Sequence, residues 1–265
     1  MFTNTSAKML YYGLVALCLA ACNLPVQAPV VSTFTQANEL IATTAPRQNL
    51  CANALFPVKK GAVWTYSNSS QTLGASSLTI TITDVRLDGF TMVTKVGQDS
   101  PTQEWTCSPD GLLALSFGSG ASVLDFATQG ISGALAASNV SGITIPANVQ
   151  PGMKWTYNVD VSGNITQTSN NMSANAKGTV QNNLQAVDIE SVTVPAGTFQ
   201  ATKVQATSTF NVTANYHGLG IPLSLTINST FLFAPGVGLV QSQENTSIAG
   251  TTYSASTELQ SYNIP

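Results

Sequence analysis

Gly61-Ala62-Val63-Trp64-Thr65-Tyr66 returns later in the chain as Gly152-Met153-Lys154-Trp155-Thr156-Tyr157. Each copy follows a proline-marked entry: Phe56-Pro57 in the first case, Ile145-Pro146 and Pro151 in the second. In each copy two aromatic residues flank a threonine, so on a strand both rings fall on one face. Each phrase therefore reads as the first strand of one half of a duplicated all-β body.

Further landmarks follow each W-T-Y in the same order. Asp88-Gly89-Phe90 and Thr94-Lys95-Val96 answer to Ala196-Gly197-Thr198-Phe199 and Thr202-Lys203-Val204. Each half then closes on a proline turn before a leucine, Ser108-Pro109-Asp110-Gly111-Leu112 and Ala234-Pro235-Gly236-Val237-Gly238-Leu239. Two copies make a duplicated domain, not a solenoid. Generic turn chemistry recurring along any β chain is the alternative. The expected halves are about 50–118 and 145–263, joined by a linker at about 119–144, within one domain over 50–265.

The strands between these landmarks are legible. Leu78-Thr79-Ile80-Thr81-Ile82-Thr83 alternates strictly, and the apolar phase then moves to Val85 and Leu87. A one-residue phase shift predicts a β-bulge near Thr83-Asp84. Lys177 to Glu190 is a further strand, with Asn182-Asn183 a candidate kink, and the Thr/Ser-rich tail from Val240 to Tyr262 suits outer strands. One face apolar and one face polar is the antiparallel signature. With almost no amphipathic helix, the sheet must cover its own apolar face. The expected fold is a curled antiparallel sheet, a barrel or half-barrel of roughly ten to twelve strands; a two-sheet sandwich is the alternative.

Composition narrows the function classes. Charged residues are 8% of the chain, about a third of the usual share. The formal charge is −3 with no basic run, which excludes phosphate-driven nucleic-acid binding. At 43% hydrophobic, the chain is not disordered.

Lys8 precedes an almost wholly apolar stretch from Met9 to Ala21. That stretch is too short for a stable membrane span and suits a signal-peptide core over residues 1–21. It ends Leu19-Ala20-Ala21-Cys22, which resembles the lipobox of bacterial lipoproteins. The resemblance implies cleavage before Cys22 and a diacylglycerol on its thiol, hence an extracytoplasmic protein held at the bacterial cell membrane or envelope. Asn23 follows, so the aspartate of the usual inner-membrane retention signal is missing. Residues 22–49, with Pro25, Pro29 and Pro46, read as a tether. Cys18 leaves with the signal and Cys22 carries lipid, so Cys51 and Cys107 remain in an oxidising compartment and are expected to pair. Two free thiols are the alternative.

Pro57 with Gly61-x-x-Trp64-Thr65-Tyr66, Val194-Pro195-Ala196-Gly197-Thr198-Phe199 and Phe233-Ala234-Pro235-Gly236-Val237-Gly238-Leu239-Val240 together resemble a family of uncharacterised bacterial lipoproteins. The resemblance covers about residues 55–262 and implies a fold rather than a chemistry. A lipid-anchored curled sheet is also loosely similar to the lipoprotein carriers of the Lol system, in architecture alone.

No catalytic constellation is visible. His217 is the sole histidine, in the turn-like His217-Gly218-Leu219-Gly220, and no nucleophile–base pair or metal-ligand spacing is present. Asp84 with Asp88, or Asp188 with Glu190, could be argued as acid–base or weak calcium pairs; exposed turn and strand positions are the plainer reading. Trp64, Tyr66, Trp155 and Tyr157 are candidate ligand-binding aromatics, and equally the start of each half's core. The expectation is a non-enzymatic module without cofactor or metal, binding an apolar or amphiphilic molecule or an envelope protein. A structural or adhesive module without a cavity is the alternative, and an envelope hydrolase the remotest one.

Overall fold

The computed structural model describes residues 49–71, 74–116, 131–167, 172–248 and 251–265. The proposed signal, Cys22, the tether up to residue 48 and linker residues 119–130 lie outside them. Thirteen strands are described: β1 Val63–Ser70, β2 Gly74–Val85, β3 Gly89–Val96, β4 Thr102–Ser108, β5 Gly111–Ala114, β6 Ile131–Gly142, β7 Ile145–Pro146, β8 Lys154–Gln167, β9 Met172–Val194, β10 Gly197–Tyr216, β11 Leu219–Ala234, β12 Gly238–Ile248 and β13 Thr251–Asn263. They form one antiparallel sheet in the order β6-β8-β9-β10-β11-β12-β13-β1-β2-β3-β4-β5-β7. The sheet curls into a half-barrel, with no helix among the described residues.

The two edges of this sheet are consecutive in the chain. Gly142 ends β6 opposite Tyr157 of β8, and Ile143 N still donates to Thr156 O at 3.0 Å. One residue later Thr144 N donates to Leu112 O at 2.9 Å, and Ile145 pairs with Leu112 of β5. Within four residues the backbone passes from one edge to the other and stitches that end of the seam. Glycine is required on both sides of the stitch. A Cβ on Gly142 would strike Thr156 O, and one on Gly111 would strike Ile145 O. Both also hold positive φ.

The two W-T-Y phrases begin β1 and β8 with matching hydrogen bonds. Gly61 N donates to Ile82 O and Ile82 N to Ala62 O; Gly152 N donates to Ala186 O and Ala186 N to Met153 O. Trp64 pairs with Ile80 and Trp155 with Leu184, in each case two residues before the residue so bonded. A bulge follows each time: Thr83 is skipped in the pairing of β2 with β3, and Val187 in that of β9 with β10. The first is the phase shift visible at Thr83-Asp84. Other expectations need correcting. β9 is not kinked at Asn182-Asn183, which stay in register with β8 and β10. Thr94-Lys95-Val96 and Thr202-Lys203-Val204 do not occupy equivalent register: Thr94 lies opposite Ile80, before its bulge, whereas Thr202 lies opposite Ile189, beyond its own. The tail is not peripheral either, since β13 pairs with both β12 and β1.

Beyond its bulge the β9–β10 arm runs on to a two-residue turn at Pro195-Ala196. Its tip folds over the sheet, where Ala196 N donates to Leu259 O of β13 at 3.1 Å. Val194 and Ala201 join the principal core there, together with Trp64, Phe90, Trp105, Leu112 and Leu259. A second apolar cluster lies farther along the long strands, around Val159, Val180, Phe210 and Leu225.

The segment before β1 is strapped to the principal core. Phe56 stacks on Trp64, Phe90 and Trp105 at centroid distances of 5.6, 6.0 and 5.9 Å. Cys51 is bonded to Cys107 of β4, with Cα atoms 4.9 Å apart and a sequence separation of 56. Closing a loop of that length restricts the unfolded chain by about 4 kcal/mol in the chain-entropy model. Reducing this bond is expected to lower the urea midpoint by a corresponding amount, and equal midpoints with and without reductant would remove the assignment.

Candidate functional site

The four W-T-Y aromatics all donate to backbone carbonyls, those of the first copy to residues 173 positions away. Trp64 is 1% exposed and donates its indole Nε1–H to Val237 O at 2.6 Å. Tyr66 is 3% exposed and donates its hydroxyl to Leu239 O at 2.9 Å. Burial pushes the Tyr66 phenol well above its ordinary range. Trp155 and Tyr157 are half-buried. They donate to Thr144 O and Ala114 O, each at 3.3 Å, and burial pushes the Tyr157 phenol up to about 12. Trp64 and Tyr66 are thus enclosed core residues with their polar atoms spent on carbonyls, not open ligand platforms. A surface trough of about 640 Å³ runs beside Trp155. Its polar lining, including Lys154, Thr156, Asn183 and Gln205, shares one face of β8–β10, whereas the Trp155 ring alternates to the other.

Tyr66→Phe is expected to cost about 1–3 kcal/mol, because Leu239 O stays buried without its donor. Tyr157→Phe, with a longer bond and a half-exposed ring, is expected to cost less, about 0.5–1.5 kcal/mol. Equal losses in urea titrations would contradict this ranking.

The concave face carries a feature that sequence reading missed. Cross-strand partners share a face, so Ala206, Ser229, Glu244 and Ala255 form one row across β10–β13. Ala206 and Ser229 are buried, which places the row inside. The neighbouring row holds Ser242, Thr257 and Asn68. On the other side Asn182 Nδ2 donates to Tyr157 O at 2.9 Å, and Ser208 Oγ donates to Asn182 Oδ1 at 2.6 Å. A polar band therefore crosses the interior between the two apolar clusters. Asn68 Oδ1 is buried there without a hydrogen-bond partner. Glu244 is the one charged side chain that the described strands turn inward. The period-two pattern Val240, Ser242, Glu244, Thr246 could have revealed it, had the tail not been read as outer strands.

Desolvation by burial raises the Glu244 pKa. The folded chain then holds this proton more tightly than the unfolded chain does. That contribution is complete below the ordinary glutamate pKa and is lost as pH rises through the raised value. Glu244→Gln carries no charge to desolvate. Its thermal midpoint is expected to exceed the parent's at about pH 7 and to match it at about pH 3. A Gln variant less stable at neutral pH would show that the carboxylate has a partner.

The other described carboxylates lie on the opposite face or in exposed turns. Asp84 joins Lys60 and Arg86 at 3.3 and 3.4 Å, and Arg86 reaches Glu104 at 2.6 Å. The Lys60 hydrogen bond, ahead of the Arg86 charge, holds the Asp84 carboxyl below its usual range. Glu190 pairs with Lys203 at 3.1 Å, and Asp188 accepts from Ile189 N. Among the described residues no three His, Cys, Asp or Glu converge as a metal site requires. His217 is exposed, edge-on to Tyr216 at 4.4 Å, in a turn where its φ is 49°.

An all-β half-barrel, stitched at one end and turned around a mostly uncharged interior, is the class these features define. The sequence profile of the DUF3108-like family matches residues 101–262, and the chain belongs to that family. Three solved structures are similar. One is an exported protein with a YmcC-like fold from Bacteroides fragilis, with TM-score 0.46 and 15% identity over 80% of this chain and 100% of that one. A candidate lipoprotein from Parabacteroides distasonis gives TM-score 0.44 and 16% identity over 80% and 99%. The hypothetical lipoprotein YmcC from Escherichia coli gives 0.34 and 10% over 77% and 85%. No curated protein matches the sequence.

Proposed function

We propose that this chain is a non-enzymatic binding module of the bacterial envelope, anchored through a diacylglycerol on Cys22 and built from two related halves. Leu19-Ala20-Ala21-Cys22 supports the anchor, and the matching hydrogen bonds at Gly61 and Gly152 support the halves. The ligand is an amphiphile: an apolar part against the concave face and a hydroxyl or amine donor toward Glu244.

The observation that carries this reading is Glu244 itself. An inward carboxyl without a hydrogen-bonded partner, flanked by Ser229 and Ser242 and with Asn68 two strands away in the next row, suits a ligand that brings its own donor. General acid–base hydrolysis wants a second titrating group beside the first; Ser229 and Ala255 occupy the paired positions instead. The stacked Phe56, Phe90 and Trp105 fill the other end of the interior and favour a second reading, a structural envelope module without a ligand.

Native mass spectrometry of protein extracted in mild detergent tests the two. An added mass in the lipid range, depleted in Glu244→Gln, is the expected result. Parent protein without any added mass would leave the structural module standing.

A further inference from the structure

The far end of the half-barrel carries two of the exposed large apolar side chains among the described residues. β10 and β11 stay paired to Tyr216 and Leu219, across a two-residue turn at His217-Gly218. Just past it, Leu219 is 65% exposed and Ile221 41% exposed. The partners of these two on β10 are Tyr216 and Ala214, so both project from the lip of the concave face. Pro222 follows with no N–H to leave unpaired on a strand edge. From Val204 to Gln243 the chain carries no Asp, Glu, Lys or Arg, and from Val161 to Ala176 it carries none either. The two neighbouring hairpins β8–β9 and β10–β11 thus end without carboxylates.

One cation stands behind them. Lys177 is exposed and lies level with Thr213 and Pro222, three residue pairs back from Tyr216 and Leu219. At the strand rise that is about 10 Å behind the turn. Exposed aliphatic side chains at a tip, with a lysine three residue pairs behind Leu219 and one behind Ile221, match the profile of a phospholipid surface: acyl boundary first, phosphate next. A carboxylate in either zone would oppose entry, and among the described residues none is there.

We propose that the Tyr216–Pro222 tip docks on a phospholipid bilayer, with Leu219 and Ile221 at the acyl boundary and Lys177 at the headgroup phosphates. This rests on the anchored reading only for bringing the body to the membrane. The geometry permits it. The strap at Asn49–Phe56 lies at the opposite end of the body, where Leu50 N donates to Leu87 O. The strand between the ends, Thr202 to Tyr216, spans about 46 Å. The 27 residues from Cys22 to Asn49 reach at most about 90 Å, enough to bring either end to the membrane.

The test uses the intact protein with vesicles of phosphatidylethanolamine and phosphatidylglycerol. A thiol-reactive, environment-sensitive dye is placed at Leu219→Cys and, as a control at the other end, at Leu87→Cys. The expected result is a blue shift at 219, loss of quenching by aqueous iodide and gain of quenching by spin-labelled lipid, with the dye at 87 remaining open to iodide. Lys177→Gln is expected to restore part of the iodide quenching at 219, in vesicles containing phosphatidylglycerol. Protein that sediments with the vesicles while both dyes stay equally open to iodide would overturn the docking and leave the anchor intact. Protein that stays in the supernatant would overturn both.

Discussion

Two buried donors reach across the whole chain. Trp64 and Tyr66, near the start of the described sheet, bind the carbonyls of Val237 and Leu239, each 173 residues away. The bonds are enclosed, so water cannot replace them, and removing either donor leaves a buried acceptor unpaired. They fix where β12 begins relative to β1, and with it the level at which β13 is threaded between them. Gly238 is part of the same arrangement, since its backbone lies under the Trp64 ring and a Cβ there would come within 3.5 Å of the indole nitrogen. The sequence landmarks around Trp64 and around Gly238 are therefore two halves of one contact. Trp155 and Tyr157 repeat the device more loosely, gripping Thr144 and Ala114 at the stitched seam.

Much of this architecture could be read from residue order. Strict alternation at Leu78–Thr83 gave the strand, and its lapse gave the bulge, because side-chain period in a strand is fixed at two. The W-T-Y repeat pointed to equivalent strand starts for a similar reason: a short aromatic phrase needs a specific register to bury both rings. What failed was long-range placement. Thr94-Lys95-Val96 looks like Thr202-Lys203-Val204, yet the second hairpin is longer beyond its bulge, and a tripeptide match carries no information about hairpin length. The tail looked peripheral because it is polar. Polarity reports that one face is solvated, not that a strand sits at an edge, and β13 is flanked on both sides.

The same limit hid the interior polar band. Ser229 and Glu244 share one hairpin, but Asn68 is far from them in sequence and joins their band only through the pairings of β12, β13 and β1. The aromatic residues that first suggested a binding face also hold the fold, through their bonds to backbone carbonyls. In a chain with so few charges, direction matters more than number. Most of the described carboxylates face water or an ion-pair partner, and the one that turns inward changes the chemistry of the concave face.

The covalent link between Cys51 and Cys107 also sets how the body meets mechanical load. Any pull on the chain ahead of Asn49 reaches the sulfur bridge before it reaches β1. The force then enters β4, which is hydrogen-bonded on both flanks by β3 and β5. Without the bridge, the strap around Phe56 would peel away first and tug next on the strand that carries Trp64. With it, tension bypasses the aromatic clasp, and the body keeps its fold when pulled from that side.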